Sequence, residues 1–480
     1  MIKLNGNEAF RHFIEKLVLG PVGVLALIPM SMSRPDFAIR NGTCVLPSTD
    51  DPQKFTIQQT SVAVKDGRIV AISDQAHKDA AEIFDAQGLH VLPGVIDSQV
   101  HFREPGLTHK EDLETGTRGA ALGGVTAVFE MPNTKPSTTT VEQFEEKLRL
   151  AHDRVWCDIS FFIGAAPENV QQLATLENLP GCCAVKIFMG SSTGNLLIAD
   201  DATLLNILKH GRRRVAVHAE DEMRLRERRH LVEGINDVRL HPVWRDDLTA
   251  IQATHRLVRL AREAKRPVHV LHVTTADEME FLKNAKDIAT VETTPQHLTL
   301  FAPDCYERLG TFAQMNPPIR EKRHQDGLWR AIADGTVTVL GSDHAPHTKE
   351  EKAKPYPESP AGMTGVQTLV PIMLNHVNNG RLSLERFVEL ACRNPARLYN
   401  SIGKGAISVG NDADFTVIDL KAERTITNYW IGSRVGWTPY DGMKVRGWPK
   451  ATIVRGHVVM RDDQLIGRPL GKPISFNTAL

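Results

Sequence analysis

From Phe37 to about Leu92 apolar and polar residues alternate in short runs, "FAIRNGTCVL", "TSVAVKDGRIVAIS" and "GLHVLPG", separated by turn residues. Such alternation marks strands with one buried face, and "KDGRI" marks a tight hairpin. The same style returns after about Lys404 in "GAISVGNDADFTVIDL" and "KATIVRGHVVMRDD". Two β segments at opposite ends of the chain are therefore expected to share one small sandwich. Between them, short β-branched runs alternate with charged stretches whose apolar residues recur every three or four positions, the period of helices packed on a sheet. Strands are expected at Val95–His101, Val125–Met131, Asp158–Gly164, Ala184–Met189, Arg214–Glu220, Pro267–Thr274, Thr290–Thr294 and Val337–His344. Helices are expected in "TVEQFEEKLRLAHD", "DDATLLNILKHG", "TAIQATHRLVRLAREA" and "TADEMEFLKNA". Eight strands alternating with helices over roughly 300 residues fit a TIM-type (β/α)8 barrel better than an open doubly wound sheet. No G-x-G-x-x-G or Walker loop follows the first strand to favour the open sheet. The expected organisation is an N-terminal extension (1–33), a first sandwich segment (34–92), the barrel (93–400) and a second sandwich segment with the tail (401–480).

The bulk composition adds exclusions. The chain has 480 residues, 41% hydrophobic and 24% charged, long enough for a large core. Lys+Arg and Asp+Glu are each 57, so nothing in the net charge points to nucleic acid or an anionic membrane, and a charged ligand must be read from local residues. The six cysteines, Cys44, Cys157, Cys182, Cys183, Cys305 and Cys392, show no C-x-x-C spacing. That argues against a disulfide framework or thiolate zinc site and for a reducing, cytoplasmic location. The apolar run "KLVLGPVGVLALIPM" (16–30) is interrupted by Pro21 and shorter than the about 20 residues a membrane span needs. No A-x-A-like cleavage site follows it, and Met32, just before strand-like sequence, is the expected biological start.

In a TIM-type barrel the reacting groups come from the C-terminal ends of the strands. Here the first strand closes with Gln99 and His101, the second with Asn133 in "EMPNT", and the fourth with Lys186 in "AVKIFMGSSTG". The fifth ends in His218, the sixth in His272 and the eighth in Asp343 of "VLGSDHAPH". Any one of these alone reads as a hydrogen-bonded structural residue. Three histidines, an aspartate and a lysine expected at one barrel face read as a site for zinc, or for manganese or iron. Lys186 lies between Val185 and Ile187, where burial lowers an amine's pKa. A neutral amine reacts with carbon dioxide to give a carbamate, an anion whose two oxygens suit a bridge between divalent cations.

"DSQVHFREPGLTHKEDL", "EMPNT", "VKIFMGSSTG", "VHAED", "LHVTT", "MNPPIR" and "GSDHAPHT" occur in this order over about residues 37–465. The sequence thereby resembles the dihydroorotases of the amidohydrolase superfamily, class I type, whose fold is a metal-bearing barrel with a β-sandwich built from both chain ends. The resemblance implies reversible cyclisation of N-carbamoyl-L-aspartate to L-dihydroorotate, a step of pyrimidine synthesis. It implies N6-carboxylysine at Lys186 as the metal bridge, His218 and His272 on the second metal, and Asp343 as ligand and general base. His101 matches the second histidine of the family's H-x-H, and Gln99 stands where the first belongs. An amide oxygen is a weaker zinc donor than imidazole, so the expectation is one firmly held zinc and a weak or empty second position, with Gln99 a weak or lost ligand. Arg103 is expected to bind the substrate carboxylate, with Asn133, Asn316, His347 and the backbone near Gly362 as further substrate contacts. The segment "TKEEKAKPYPESPAG" (348–362) is expected to be a mobile barrel loop. An allantoinase or dihydropyrimidinase would use the same metal cage without needing Arg103 and Asn133 to read a carboxylate. A non-catalytic relative, kept as a partner of aspartate transcarbamoylase, would have lost ligands and base, whereas here one position departs. A homodimer is the expected assembly.

Overall fold

The computed structural model describes residues 34–192 and 196–478; the expected extension, its apolar run and Met32 lie outside them. Pro35–Leu480 forms one compact unit. Its first strands are β1 (Phe37–Pro47), β2 (Phe55–Lys65), β3 (Arg68–Ile72), β4 (Glu82–Asp85) and β5 (His90–Pro93). "KDGRI" makes the β2–β3 turn, where Asp66 (φ 49°) and Gly67 (φ 75°) both take left-handed backbone. That is the primed turn whose twist matches the flanking strands.

Eight parallel strands follow, β6 (Val95–Val100), β7 (Val125–Glu130), β8 (Asp158–Gly164), β9 (Cys182–Phe188), β10 (Val215–His218), β11 (Val268–Val270), β12 (Ala289–Thr293) and β13 (Val339–Leu340). Each pairs with the next in sequence order. A parallel bridge between Val100 and His344 brings the last strand back to the first, and the His101 N–H donates to the His344 carbonyl at 2.7 Å. The helices read from the sequence are found at Val141–Ala151, Asp201–Lys209, Asp247–Ala264 and Ala276–Leu282. Their apolar faces and the outward residues of the strands form the main core, among them Phe144, Ile159, Val185, Leu204, Leu257 and Val270. A second cluster, with Ile96, Ala127, Phe129, Phe162, Ala184, Ala216 and Tyr399, fills the barrel interior.

The chain ends with β14 (Phe415–Thr425), β15 (Lys444–Val454), β16 (His457–Arg461) and β17 (Gln464–Leu465). β14 pairs antiparallel with β5, so both chain ends join in one continuous nine-stranded sheet. Residues from its two halves, such as Ile39, Val62, Phe84, Phe415 and Ile453, share one apolar cluster. The sandwich expected from the alternation is therefore a single hydrogen-bonded ladder. Sheet and barrel meet at Lys404, whose buried ammonium lies 2.5 Å from Asp158, 3.0 Å from Asp412 and 2.5 Å from Asp414. Arg455 also pairs with Asp158. These three acids lie close enough together to hold a cation, and the lysine already supplies that charge.

Candidate active site

Side chains alternate along a strand, so Lys186 of β9 shares its face with Ala184 of the barrel interior and with Phe188 at the mouth. His218 shares a face of β10 with Ala216 in the same way. Three residues at the strand ends, Arg103 (φ 64°), His272 (φ 37°) and Asp343 (φ 46°), adopt left-handed backbone. That conformation costs on the order of 1–3 kcal/mol for a non-glycine residue and clusters where side chains are aimed at a ligand. One cavity is lined by Gln99, His101, Arg103, Asn133, His218, His272, Asn316, Asp343 and Gly362, with Phe188 and Ser192 beside them. Nine of the eleven residues named from the sequence thus share one wall.

The other two stand behind it. Lys186 is fully buried, its Nζ has no hydrogen-bond partner, and it rests 4.3 Å from the centre of the Phe188 ring. Burial pulls its pKa down to about 7. His347 lies behind Arg103, with Nε2 3.0 Å from the Ala361 carbonyl and 3.3 Å from Arg103 Nη2.

The imidazoles are arranged as metal donors. His101 Nδ1 is 2.7 Å from Asn133 Oδ1 and donates to it, which leaves the Nε2 lone pair facing Asp343 Oδ1 at 3.1 Å. His218 Nε2 donates to Glu220 Oε2 at 2.9 Å, so its Nδ1 lone pair faces His272 Nε2 at 3.1 Å. Burial lowers the pKa of His101, His218 and His272, which favours the neutral, ligating form. Lone pairs converging on one another and on a carboxylate, beside the orphaned Lys186 amine, fit a cation. Gln99 fits less well: its Nε2 donates to Asp343 Oδ1 at 3.0 Å while its buried Oε1 finds no partner.

The outer nitrogen of His218 is held in turn by Glu220. Burial raises a carboxyl's pKa, but the Arg245 guanidinium and His218 outweigh it and hold Glu220 well below the usual carboxylate range. Arg245 pairs with Glu220 and donates to the Ser191 carbonyl at 2.7 Å. A few residues earlier, His241 Nε2 lies 3.0 Å from Asn316 Oδ1, which turns the Asn316 amide nitrogen away from it. Motif reading carries no signal for His241 or Arg245, because they act on partners 75 and 25 residues away.

Arg103 is 1% exposed, and burial lowers its pKa to about 10. Its Nε donates to the Pro346 carbonyl at 3.2 Å, and its Nη1 has no partner. It forms no ion pair with a carboxylate among the described residues. The segment 348–362, expected to be mobile, is anchored: buried Lys352 donates to the carbonyls of Gln314 at 3.0 Å and Pro360 at 2.9 Å.

A barrel carrying an imidazole, carboxylate and lysine cage at its C-terminal mouth defines an amidohydrolase, and the comparisons agree. Residues 90–459 match the amidohydrolase family model; the chain belongs to this metal-dependent family. It is similar to the dihydroorotase of Methanosarcina acetivorans, 33% identical over 86% of this chain and 91% of the relative. The dihydroorotase of Pyrococcus abyssi is 36% identical over 86% of this chain and 94% of the relative. Among solved structures, the L-hydantoinase of Arthrobacter aurescens superposes with a TM-score of 0.86 and 31% identity, over 92% of this chain and 100% of that one.

Proposed function

We propose that the protein is a dihydroorotase, interconverting L-dihydroorotate and N-carbamoyl-L-aspartate in pyrimidine synthesis. The observation that carries this reading is Arg103, a buried guanidinium on the cavity wall whose Nη1 has no partner and which is ion-paired with no carboxylate of the described residues. A buried guanidinium fork without an ion-pair partner suits a substrate carboxylate. Dihydroorotate has one; the rings of dihydrouracil, hydantoin and allantoin do not.

His218, His272 and a carboxylated Lys186 would hold one zinc, and His101 with Asp343 a second, weaker position. Bound there, the cation supplies polarisation of the ring amide carbonyl and acidification of water. Asp343 faces the same cavity and serves as the proton carrier. As water adds to the carbonyl carbon, its carboxylate accepts a proton, which it delivers to the ring nitrogen as the C–N bond breaks. Arg103 binds the carboxylate of the ring, and His347 and Ala361 behind it keep the fork in place. Asn316, turned by His241, offers its amide N–H to the ring. The proposal includes a homodimer and association with aspartate transcarbamoylase, which sedimentation of the chain with and without that partner tests.

The similarity to an L-hydantoinase structure makes that activity the rival. Turnover of dihydroorotate, dihydrouracil, hydantoin and allantoin by the zinc-loaded protein separates the two, and the dihydroorotase reading requires dihydroorotate to be preferred. Arg103→Met is expected to lower kcat/KM for dihydroorotate by about 10²–10³-fold, as for a carboxylate left without its buried charged partner. Comparable turnover of the neutral rings by the parent protein would sink the assignment. An Asp343→Ala variant as active as its parent would remove the proton carrier from it.

A further inference from the structure

The opposite mouth of the barrel carries a second built feature. Arg212, Arg213 and Arg214, just before β10, and Arg397, in the helix Asn394–Tyr399, line a pocket of about 230 Å³ together with Cys183, Pro267, Leu398 and Tyr399. None of the four guanidiniums is ion-paired with a carboxylate of the described residues. Arg213 is 4% exposed and donates to the carbonyls of Glu177 at 2.6 Å, Cys182 at 2.7 Å and Tyr399 at 3.3 Å. Arg214 donates to the Val268 carbonyl at 2.9 Å, and Arg397 to Gln53 Oε1 at 2.6 Å. The acid in contact with this segment, Glu177, is committed elsewhere: its Oε2 pairs with Arg266 at 2.5 Å, and its Oε1 accepts the N–H groups of Arg212 at 2.6 Å and Arg213 at 3.2 Å. Isolated surface arginines are simply solvated. Here one of four is withdrawn from water with only carbonyls and the Phe476 ring, 5.3 Å away, as partners, and desolvated positive charge strengthens attraction for an anion.

We propose that this pocket binds the di- or triphosphate group of a small molecule. Guanidinium forks bind phosphate oxygens bidentately. A compact oligophosphate delivers the several negative charges that four arginines call for, where a single carboxylate brings one. The pocket is too small for a macromolecule, and Pro267, Leu398 and Tyr399 give it an apolar wall beside the charges. Cys183, Arg214 and Pro267 stand at or before the starts of β9, β10 and β11. These strands lead to Lys186, His218 and His272 roughly 10–17 Å further on, at about 3.3 Å per residue. A ligand at the closed end therefore touches the same three strands that carry the metal cage.

Isothermal titration of the zinc-loaded full chain with sodium tripolyphosphate tests the proposal. One saturable site per chain is expected, weakened on the order of a hundredfold in the double variant Arg212→Ala/Arg397→Ala, roughly tenfold for each lost guanidinium. Both residues are exposed, so the fold is retained, and any heat of metal chelation is common to parent and variant. A nucleoside triphosphate binding more tightly than tripolyphosphate places a nucleoside on the apolar wall; equal affinity makes the phosphate chain the whole determinant. No saturation up to about 10 mM, unchanged affinity in the double variant, or loss of binding in Arg103→Met overturns the proposal, the last by placing the probe in the catalytic cavity.

Discussion

The Gln99 amide meets Asp343 with its nitrogen and leaves its oxygen without a partner. A cation arriving between His101 and Asp343 must displace that N–H or wait for the amide to turn over, whereas an imidazole would offer a lone pair. Gln99→His is expected to raise tightly bound zinc from about one to about two equivalents per chain, read by metal analysis after dialysis. Two firmly held zincs in the parent would refute the weak position. Other residues were legible in sequence to differing degrees. Arg103, Asn133 and His101 sit in short motifs whose spacing survives folding, so their convergence could be read directly. His241 and the Glu220–Arg245 pair could not, because a residue that orients a ligand is defined by its partner, and the partner is elsewhere in the chain.

Periodicity placed the eight barrel strands in order, but it overran their ends. β11 closes at Val270 and β13 at Leu340, before His272 and Asp343 turn the backbone into the left-handed region. The hydrophobic run continues past the last ladder hydrogen bond because these residues are still buried, and burial rather than pairing is what the pattern reports. The segment 348–362 was misread for a related reason. Its charges and prolines look solvated, yet Lys352 is fully buried and ties the segment to Gln314, close in sequence to Asn316. Burial lowers the Lys352 pKa to about 7. Its two carbonyl partners place Ala361 and Gly362 against the cavity. Lys352→Met is expected to raise KM for dihydroorotate roughly tenfold and to change kcat by less than about threefold, in steady-state kinetics. An unchanged KM would show that the anchor is dispensable for binding.

Across the whole molecule, the network of Lys404, Asp158, Asp412, Asp414 and Arg455 joins barrel and sheet. Its alternating signs were invisible in sequence, since Asp158 and Lys404 are 246 residues apart. Removing one partner from a buried ion network leaves stranded charge, so Lys404→Met is expected to cost about 3–5 kcal/mol in urea unfolding. Burial opposes ionisation of Asp158, but Lys404 and Arg455 outweigh it and hold its pKa below the ordinary value. Its contribution is thus present above the usual carboxylate range and lost as pH falls through the lowered value. Burial likewise opposes the charge on Lys404, yet the three carboxylates raise its pKa, and that contribution holds below the ordinary lysine range and is lost only above it. Urea midpoints measured between about pH 3 and 8 should fall at the acid end for the parent and less steeply for Lys404→Met; parallel curves would show that the joint carries no charge-dependent stability.

The pairing of β5 with β14 has a consequence for the order in which the chain is made. Leu92 of β5 lies opposite Thr416 of β14, so β5 emerges from the ribosome long before the strand that will cover its free edge. During that interval the barrel is synthesised while β1 to β5 present an unpaired edge, the kind of surface that templates aggregation. A chain that stalls before Phe415 keeps every barrel strand and still lacks the partner that closes this edge. Newly made protein is therefore most exposed to misassembly until the strand that begins at Phe415 has been made.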